Sequence, residues 1–160
     1  MAAADGLTYC TIIADASWCP NTNAGGFGVW INCAGERVQY SNRFRKSPKT
    51  SGQAEYYAII NALYIARKKF ELEYIDKVVI QTDCMAVIHI LDKDPKVITG
   101  ILKMDESRIK LKHVKGHVHY KDQDRNHFCN DWCDRQAKRH MLEQRKEIEE
   151  KRGSLHDKRT

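Results

Sequence analysis

The chain has 160 residues, 42% of them hydrophobic and 30% charged, and its 27 Lys and Arg outweigh 21 Asp and Glu to give a net charge of +6. That length suits one globular domain able to bury a core, and no run of about 18 apolar residues is present to cross a membrane as a helix. The opening MAAADGLTYC lacks the basic segment and long apolar stretch of a secretory signal, so a cytoplasmic protein is expected.

Leu7 to Asp15 has strand character. Gly25 and Gly26 mark a turn before a second strand, Phe27 to Cys33, and the AGE of residues 34–36 signals a hairpin into a third, Arg37 to Phe44. The period then changes. Ala54, Ala58, Ala62 and Ala66 recur every four residues, with Tyr57, Leu63 and Phe70 flanking the same side, which predicts an amphipathic helix over Gly52–Phe70 capped by Thr50 or Ser51. Residues 76–83, DKVVIQTD, read as a fourth strand. Helical spacing follows at Met85, Ile88 and Leu91, then a short helix over 97–104, and alternation at Ile109, Leu111 and His113 gives a fifth strand. A polar loop runs from Gly116 to about His127. The last helix starts near Asn130, with Gly153 as its stop and SLHDKRT frayed. The order, a three-stranded meander followed by alternating helices and strands, implies an α/β fold with a mixed sheet and helices on its faces.

The positive excess is uneven. Residues 1–100 hold 11 basic and 10 acidic side chains, residues 101–160 hold 16 and 11, so the basic half is the C-terminal one and points to an anionic partner such as nucleic acid. The six cysteines, at 10, 19, 33, 84, 129 and 133, are irregularly spaced and read as reduced thiols. Cys129 and Cys133 with His119 and His127 do not have the spacing of a standard zinc site, and no zinc is expected there.

Four carboxylates stand where such a fold gathers functional groups. Asp15 closes an apolar strand, where a carboxylate is costly unless paired or bound to a metal. Glu55 lies in the first turns of the long helix, Asp83 closes the fourth strand, and Asp134 lies in the first turns of the last helix. Each has a plainer reading: a turn former at Asp15, a helix-dipole partner at Glu55, a helix cap at Asp83, an i,i+4 partner of Lys138 at Asp134. Their combination favours a shared site. If the first and fourth strands are parallel neighbours, Asp15 and Asp83 emerge together, where ligands collect in such sheets. Carboxylates 4 Å apart repel by roughly 4 kcal/mol per pair at an effective dielectric near 20. Such a cluster needs cations, and oxygen donors point to Mg²⁺ or Mn²⁺.

TIIADAS, NTNAGGFGVW, SGQAEYYAIINAL, IQTDCMAV, HVKGH and NDWCDRQAK, in that order from about Leu7 to Arg139, resemble type 1 ribonuclease H. The resemblance implies the ribonuclease H-like fold, five strands with the second antiparallel to the rest; the chain itself reads as a single domain over residues 1–152 with 153–160 a disordered tail. It implies a two-metal site on Asp15, Glu55, Asp83 and Asp134, Asp134 being preferred to Asp131 because CDRQA matches the family's Asp-x-x-Ala pattern. It implies hydrolysis of the RNA strand of RNA–DNA hybrids, leaving 5′-phosphate and 3′-hydroxyl ends, with two Mg²⁺ ions for which Mn²⁺ can substitute; a monomer is the default expectation. The alternatives are another nuclease of the same fold, or a nucleic-acid-binding module. His117 matches the family's mobile histidine, with His119 as fallback. Asn21, Thr50, Ser51 and Gln53 fall at substrate-contacting positions, although Asn21 also suits a turn and Thr50 a helix cap.

The chain departs from the family's pattern in places. Ser51-Gly52-Gln53 replaces the frequent Asn-Asn-Arg, Ala16 replaces glycine, and the basic, tryptophan-bearing helix of some members is missing. Lys103, Arg108, Lys110, Lys112 and Lys115 are candidates to compensate, or lysines guarding a strand edge.

Overall fold

A computed structural model describes residues 5–115 and 125–159. Its elements run β1 (Tyr9–Trp18), β2 (Gly25–Cys33), β3 (Glu36–Arg43), α1 (Ser51–Lys69), β4 (Lys77–Thr82), α2 (Met85–Lys93), α3 (Lys96–Leu102), β5 (Ile109–His113) and α4 (Arg125–Arg159). One five-stranded sheet has the order β3-β2-β1-β4-β5. β1 pairs antiparallel with β2 and parallel with β4, β2 pairs antiparallel with β3, and β4 pairs parallel with β5. The second strand therefore opposes the other four, as the resemblance implies.

β1 is central, and Ile12, Ile13 and Ala14 are buried in succession because both faces are covered. Ile12 and Ala14 join Val78, Ile80 and the alanine stripe of α1 in the main core. Ile13 points the other way, against Trp30, Cys129 and Cys133. α1 forms where its pattern places it. Thr50 Oγ1 accepts the Gln53 amide at 3.0 Å, Gln53 Oε1 accepts the Lys49 amide at 2.7 Å, and Arg67, Lys68 and Lys69 oppose the negative end of the dipole. Ala54, Ala58, Ala62 and Ala66 are all buried, and their small side chains let the helix lie close on the sheet.

The other face is crossed by α4, which presents Cys129, Cys133, Ala137 and Met141 at four-residue spacing and packs on β1, β2 and β3. Gly26 and Gly28 make this approach possible. A Cβ at Gly28 would strike the Cys133 carbonyl oxygen and stand 2.8 Å from Cys133 Cα, and a Cβ at Gly26 would strike the Ala137 carbonyl oxygen. Beyond the sheet, α4 is tied down by polar contacts. Gln144 Oε1 accepts the Gly25 amide at 2.9 Å, Arg43 makes a two-pronged pair with Glu147 at 2.7 and 3.0 Å, and Arg152 donates to the Asn21 carbonyl at 3.1 Å.

Several boundaries differ from the sequence reading. β1 does not end at Asp15 but runs three residues further, because Ala16, Ser17 and Trp18 pair with Phe27, Gly26 and Gly25. Gly25 and Gly26 open β2 instead of forming the turn, which falls on residues 19–24, with Asn23 left-handed. The Ala34-Gly35 hairpin has positive φ at both residues, as a two-residue primed turn requires. α4 begins at Arg125, five residues early, and continues through Gly153 to Arg159 where a frayed tail is expected. A single helical glycine costs only about 1 kcal/mol, too little to halt a helix on its own. All six cysteines are reduced thiols, and no helix among the described residues is long and apolar enough to cross a membrane.

Candidate metal centre

Strand register builds the site. Ile13 of β1 is level with Gln81 of β4, so two residues further along each parallel strand Asp15 is level with Asp83. Asp15 lies inside β1 with its 2% exposed side chain beside the helices, while Asp83 follows the last residue of β4. Glu55, the fifth residue of α1, reaches the same point from the helix on the other face. Donor oxygens of Asp15, Glu55 and Asp83 all lie within 4.8 Å of one another.

The helix-cap reading of Asp83 fails. The cap of α2 is Cys84, without a side-chain bond, and the Cys84 amide is accepted by Thr82 Oγ1 at 3.1 Å. The dipole reading of Glu55 weakens too, since the first turn of α1 holds no acid.

The fourth carboxylate comes from α4. Asp134 acts electrostatically on both Asp15 and Glu55, while Asp131 pairs with Arg135 at 3.8 Å. Gly28 explains how Asp134 gets there. It is the cross-strand partner of Asp15, and its missing side chain lets the Cys133 backbone, one residue before Asp134, settle at that level. Gly28 is the functional position that the sequence reading missed, and Gly26 it took for a turn residue. A glycine inside a strand pattern signals close backbone approach, and that signal was present in GGFG.

Burial dominates the electrostatics. It pushes the Asp15 carboxyl up to about 11, with added repulsion from Glu55, Asp83 and Asp134, against a single opposing hydrogen bond from the Ala16 amide at 2.9 Å. Burial, then Asp83, pushes Glu55 up to about 8. Glu55 Oε2 is buried with no hydrogen-bond partner among the described residues. An orphaned carboxylate oxygen amid mutually repelling acids is a donor set that a hard divalent cation would satisfy.

The other predicted positions have mixed placements. His117 and His119 lie outside the described residues. Thr50 and Gln53 cap the helix that carries Glu55, and Ser51 is exposed beside them. Asn21 is exposed in the turn after β1. Of the proposed compensating cations, Arg108 is structural: its guanidinium donates to the carbonyls of Leu72, Glu73 and Ile75. Lys103 ends α3 in the left-handed region, and Lys110, Lys112 and Lys115 are exposed.

A five-stranded sheet of this order, with acids converging from β1, α1 and the end of β4, defines a protein of the ribonuclease H fold. The chain belongs to the reverse transcriptase-like family, whose sequence profile matches residues 14–112, more than half its length. Its structure is similar to RNase H1 from the halophilic archaeon Halobacterium salinarum NRC-1, at 19% identity and a TM-score of 0.61 over 84% of this chain and 98% of that one. It is similar to LC11-RNase H1 in complex with an RNA/DNA hybrid, at 18% identity and a TM-score of 0.60 over 84% and 97%. The N-terminal RNase H domain of a Mycobacterium tuberculosis protein, solved as a fusion with maltose-binding protein, is similar at 18% identity and a TM-score of 0.58 over 84% and 94%. No curated protein sequence matches the chain.

Proposed function

We propose that the protein is an endoribonuclease that hydrolyses the RNA strand of RNA–DNA hybrids with the help of two divalent ions, Mg²⁺ or Mn²⁺. The observation that carries this reading is the convergence of the Asp15, Glu55 and Asp83 oxygens within 4.8 Å, in a chain of this family. Asp15 would bridge both ions, Glu55 and Asp83 would hold one, and Asp134 the other. When bound, the ions supply an activated water and charge neutralisation at the leaving oxygen of an in-line displacement.

The chain's own residues supply the rest. The carboxylates fix the position of the cations on a sheet and two helices, elements stiff enough to hold a reacting phosphate in one geometry. The low dielectric around Asp15, 2% exposed, strengthens every charge interaction made there. The water oxygen bonds to phosphorus as the bond from phosphorus to the 3′-oxygen breaks. The departing oxygen takes a proton, leaving 5′-phosphate and 3′-hydroxyl ends. His117 would serve that proton transfer or product departure, work that suits an imidazole because this side-chain type can change charge near neutral pH. Asn21, in the turn after β1, and Thr50, Ser51 and Gln53, at the start of α1, would face the substrate.

Incubation with labelled hybrid, duplex DNA, duplex RNA and single strands, with Mg²⁺ or EDTA, tests the reading. Metal-dependent cleavage confined to the RNA of the hybrid is expected. Cleavage of duplex DNA would indicate another nuclease of this fold, and binding without cleavage a non-catalytic module.

A further inference from the structure

We propose a second nucleic-acid contact: a phosphate-binding surface on the exposed face of β4 and β5, leading away from the carboxylate site. It deepens the reading above and rests on it only for the choice of ligand.

The surface follows from register. On the face that α4 covers over β1, β2 and β3, the sheet continues to β4 and β5. Successive rows across β1, β4 and β5 are Ile13, Gln81 and Lys112, then Thr11, Val79 and Lys110, and finally Tyr9 and Lys77. The row before these holds Asp15 level with Asp83. Rows on one face of a strand are about 7 Å apart, so Lys112 lies one row from the acids and Lys110 two.

These rows line a cavity of about 330 Å³, bounded by Tyr9, Thr11, Lys77, Val79, Gln81, Ser107, Ile109, Lys110 and Lys112, with no acid among them. Three lysines therefore surround a hollow furnished with hydroxyls and an amide, which suits a phosphodiester and repels a carboxylate-rich partner. Lys77 is held by the Ser107 carbonyl at 3.0 Å and neighbours Asp76, while Tyr9 donates to Asp5 at 2.6 Å. These acids close the far end electrostatically. The binding stretch is then the one between Lys110 and the carboxylates, and its continuity with that site selects the occupant: the sugar–phosphate backbone of the strand that leaves the site. Positively charged grooves that track a single strand in this way are a recurrent mode of nucleic-acid binding.

The test is a binding titration in EDTA, where no cleavage occurs, by fluorescence anisotropy from 50 to 200 mM salt. The probes are a blunt hybrid and the same hybrid with a single-stranded extension on either end. The proteins are the wild type, Lys110→Gln/Lys112→Gln, and Lys93→Gln as a control on exposed α2. Each lost phosphate contact lowers the slope of log Kd against log salt by about 0.7–0.9, so the double variant should lose about 1.5 on an extended hybrid, with Lys93→Gln unchanged. An unchanged slope and Kd for the double variant on every probe would overturn the proposal, even if wild-type protein cleaves hybrids well. Should the wild type cleave no hybrid while the slope still drops, the nuclease reading fails and the phosphate surface stands. Circular dichroism confirms that the variants fold, which is expected because both lysines are exposed.

Discussion

Asp15→Asn separates the cost of the acidic cluster from its use. In the metal-free protein, burial and neighbouring charge move Asp15 from 3.8 to about 11 and Glu55 from 4.5 to about 8. A carboxyl raised on folding binds a proton in the native state that the unfolded chain has already released. Stability must therefore fall as pH rises from the unfolded value towards the folded one. Between pH 5 and 7 the fall is at most about 2.7 kcal/mol for each carboxyl, at 1.36 kcal/mol per pH unit. An asparagine keeps the shape of Asp15 without the titration. In EDTA the variant should lose roughly half the pH dependence and be more stable than wild type at pH 7 by at most about 4 kcal/mol, with little difference near pH 4. His140, held below its ordinary value by burial, contributes with the opposite sign but is common to both proteins, so the difference isolates Asp15. Mg²⁺ should cut the variant's advantage, stabilising wild type by about 2.7 kcal/mol at a hundredfold excess over Kd and the variant much less, while hybrid cleavage by the variant is abolished. Urea denaturation at pH 5, 6 and 7, with EDTA or Mg²⁺, measures all of this. A wild-type stability in EDTA that is flat or rising over that range, or an equal slope in the variant, would refute the argument.

Gly28→Ala forces the Cys133 backbone away from β2 and should cost about 1–3 kcal/mol by overpacking, read from the urea midpoint. Because it also displaces Asp134, cleavage should drop by more than the loss of folded protein explains. Gly100→Ala, in open space on α3, should instead stabilise by about 0.5–1 kcal/mol. Asp134→Asn should lower hybrid cleavage strongly, whereas Asp131→Asn should leave it near wild type and change stability by less than about 1 kcal/mol, since the Arg135 pair is a surface one. Thr50→Ala should cost about 1 kcal/mol through the lost cap of α1.

Much of the fold could be read from the sequence, for identifiable reasons. β1 and β4 are apolar runs rich in β-branched residues, and the alanine repeat of α1 has only one helical reading. What escaped was set by partners distant in sequence. Ala16, Ser17 and Trp18 carry no strong strand signal and extend β1 because Gly25 to Phe27 pair with them. The first turn of α4 contains Asn126 and His127, poor helix formers, which hides its start. Asp15, Glu55 and Asp83 could be grouped because the sequence reads each near an element end, and a parallel pairing of the first and fourth strands would bring Asp15 level with Asp83. Arg108 could not be told from a substrate-binding cation, since the carbonyls it clamps lie more than 30 residues earlier.

The four carboxylates are not equally secured, and this bears on how the site would fail. The sheet register places Asp15 beside Asp83, and Glu55 rides on a helix anchored by six buried residues. Asp134 depends on one helix lying unusually near one strand, an approach that Gly26 and Gly28 permit and Cys129, Cys133 and Ala137 fill. That contact is backbone against backbone, so it cannot be relieved by a rotamer change. Disturbing it moves the whole helix, while the other three acids stay within reach of each other. A protein so altered should still take up a divalent ion on Asp15, Glu55 and Asp83 yet lose turnover. Binding of Mn²⁺ and cleavage of hybrid would then part company, and that separation would identify Asp134 as the member that completes the site.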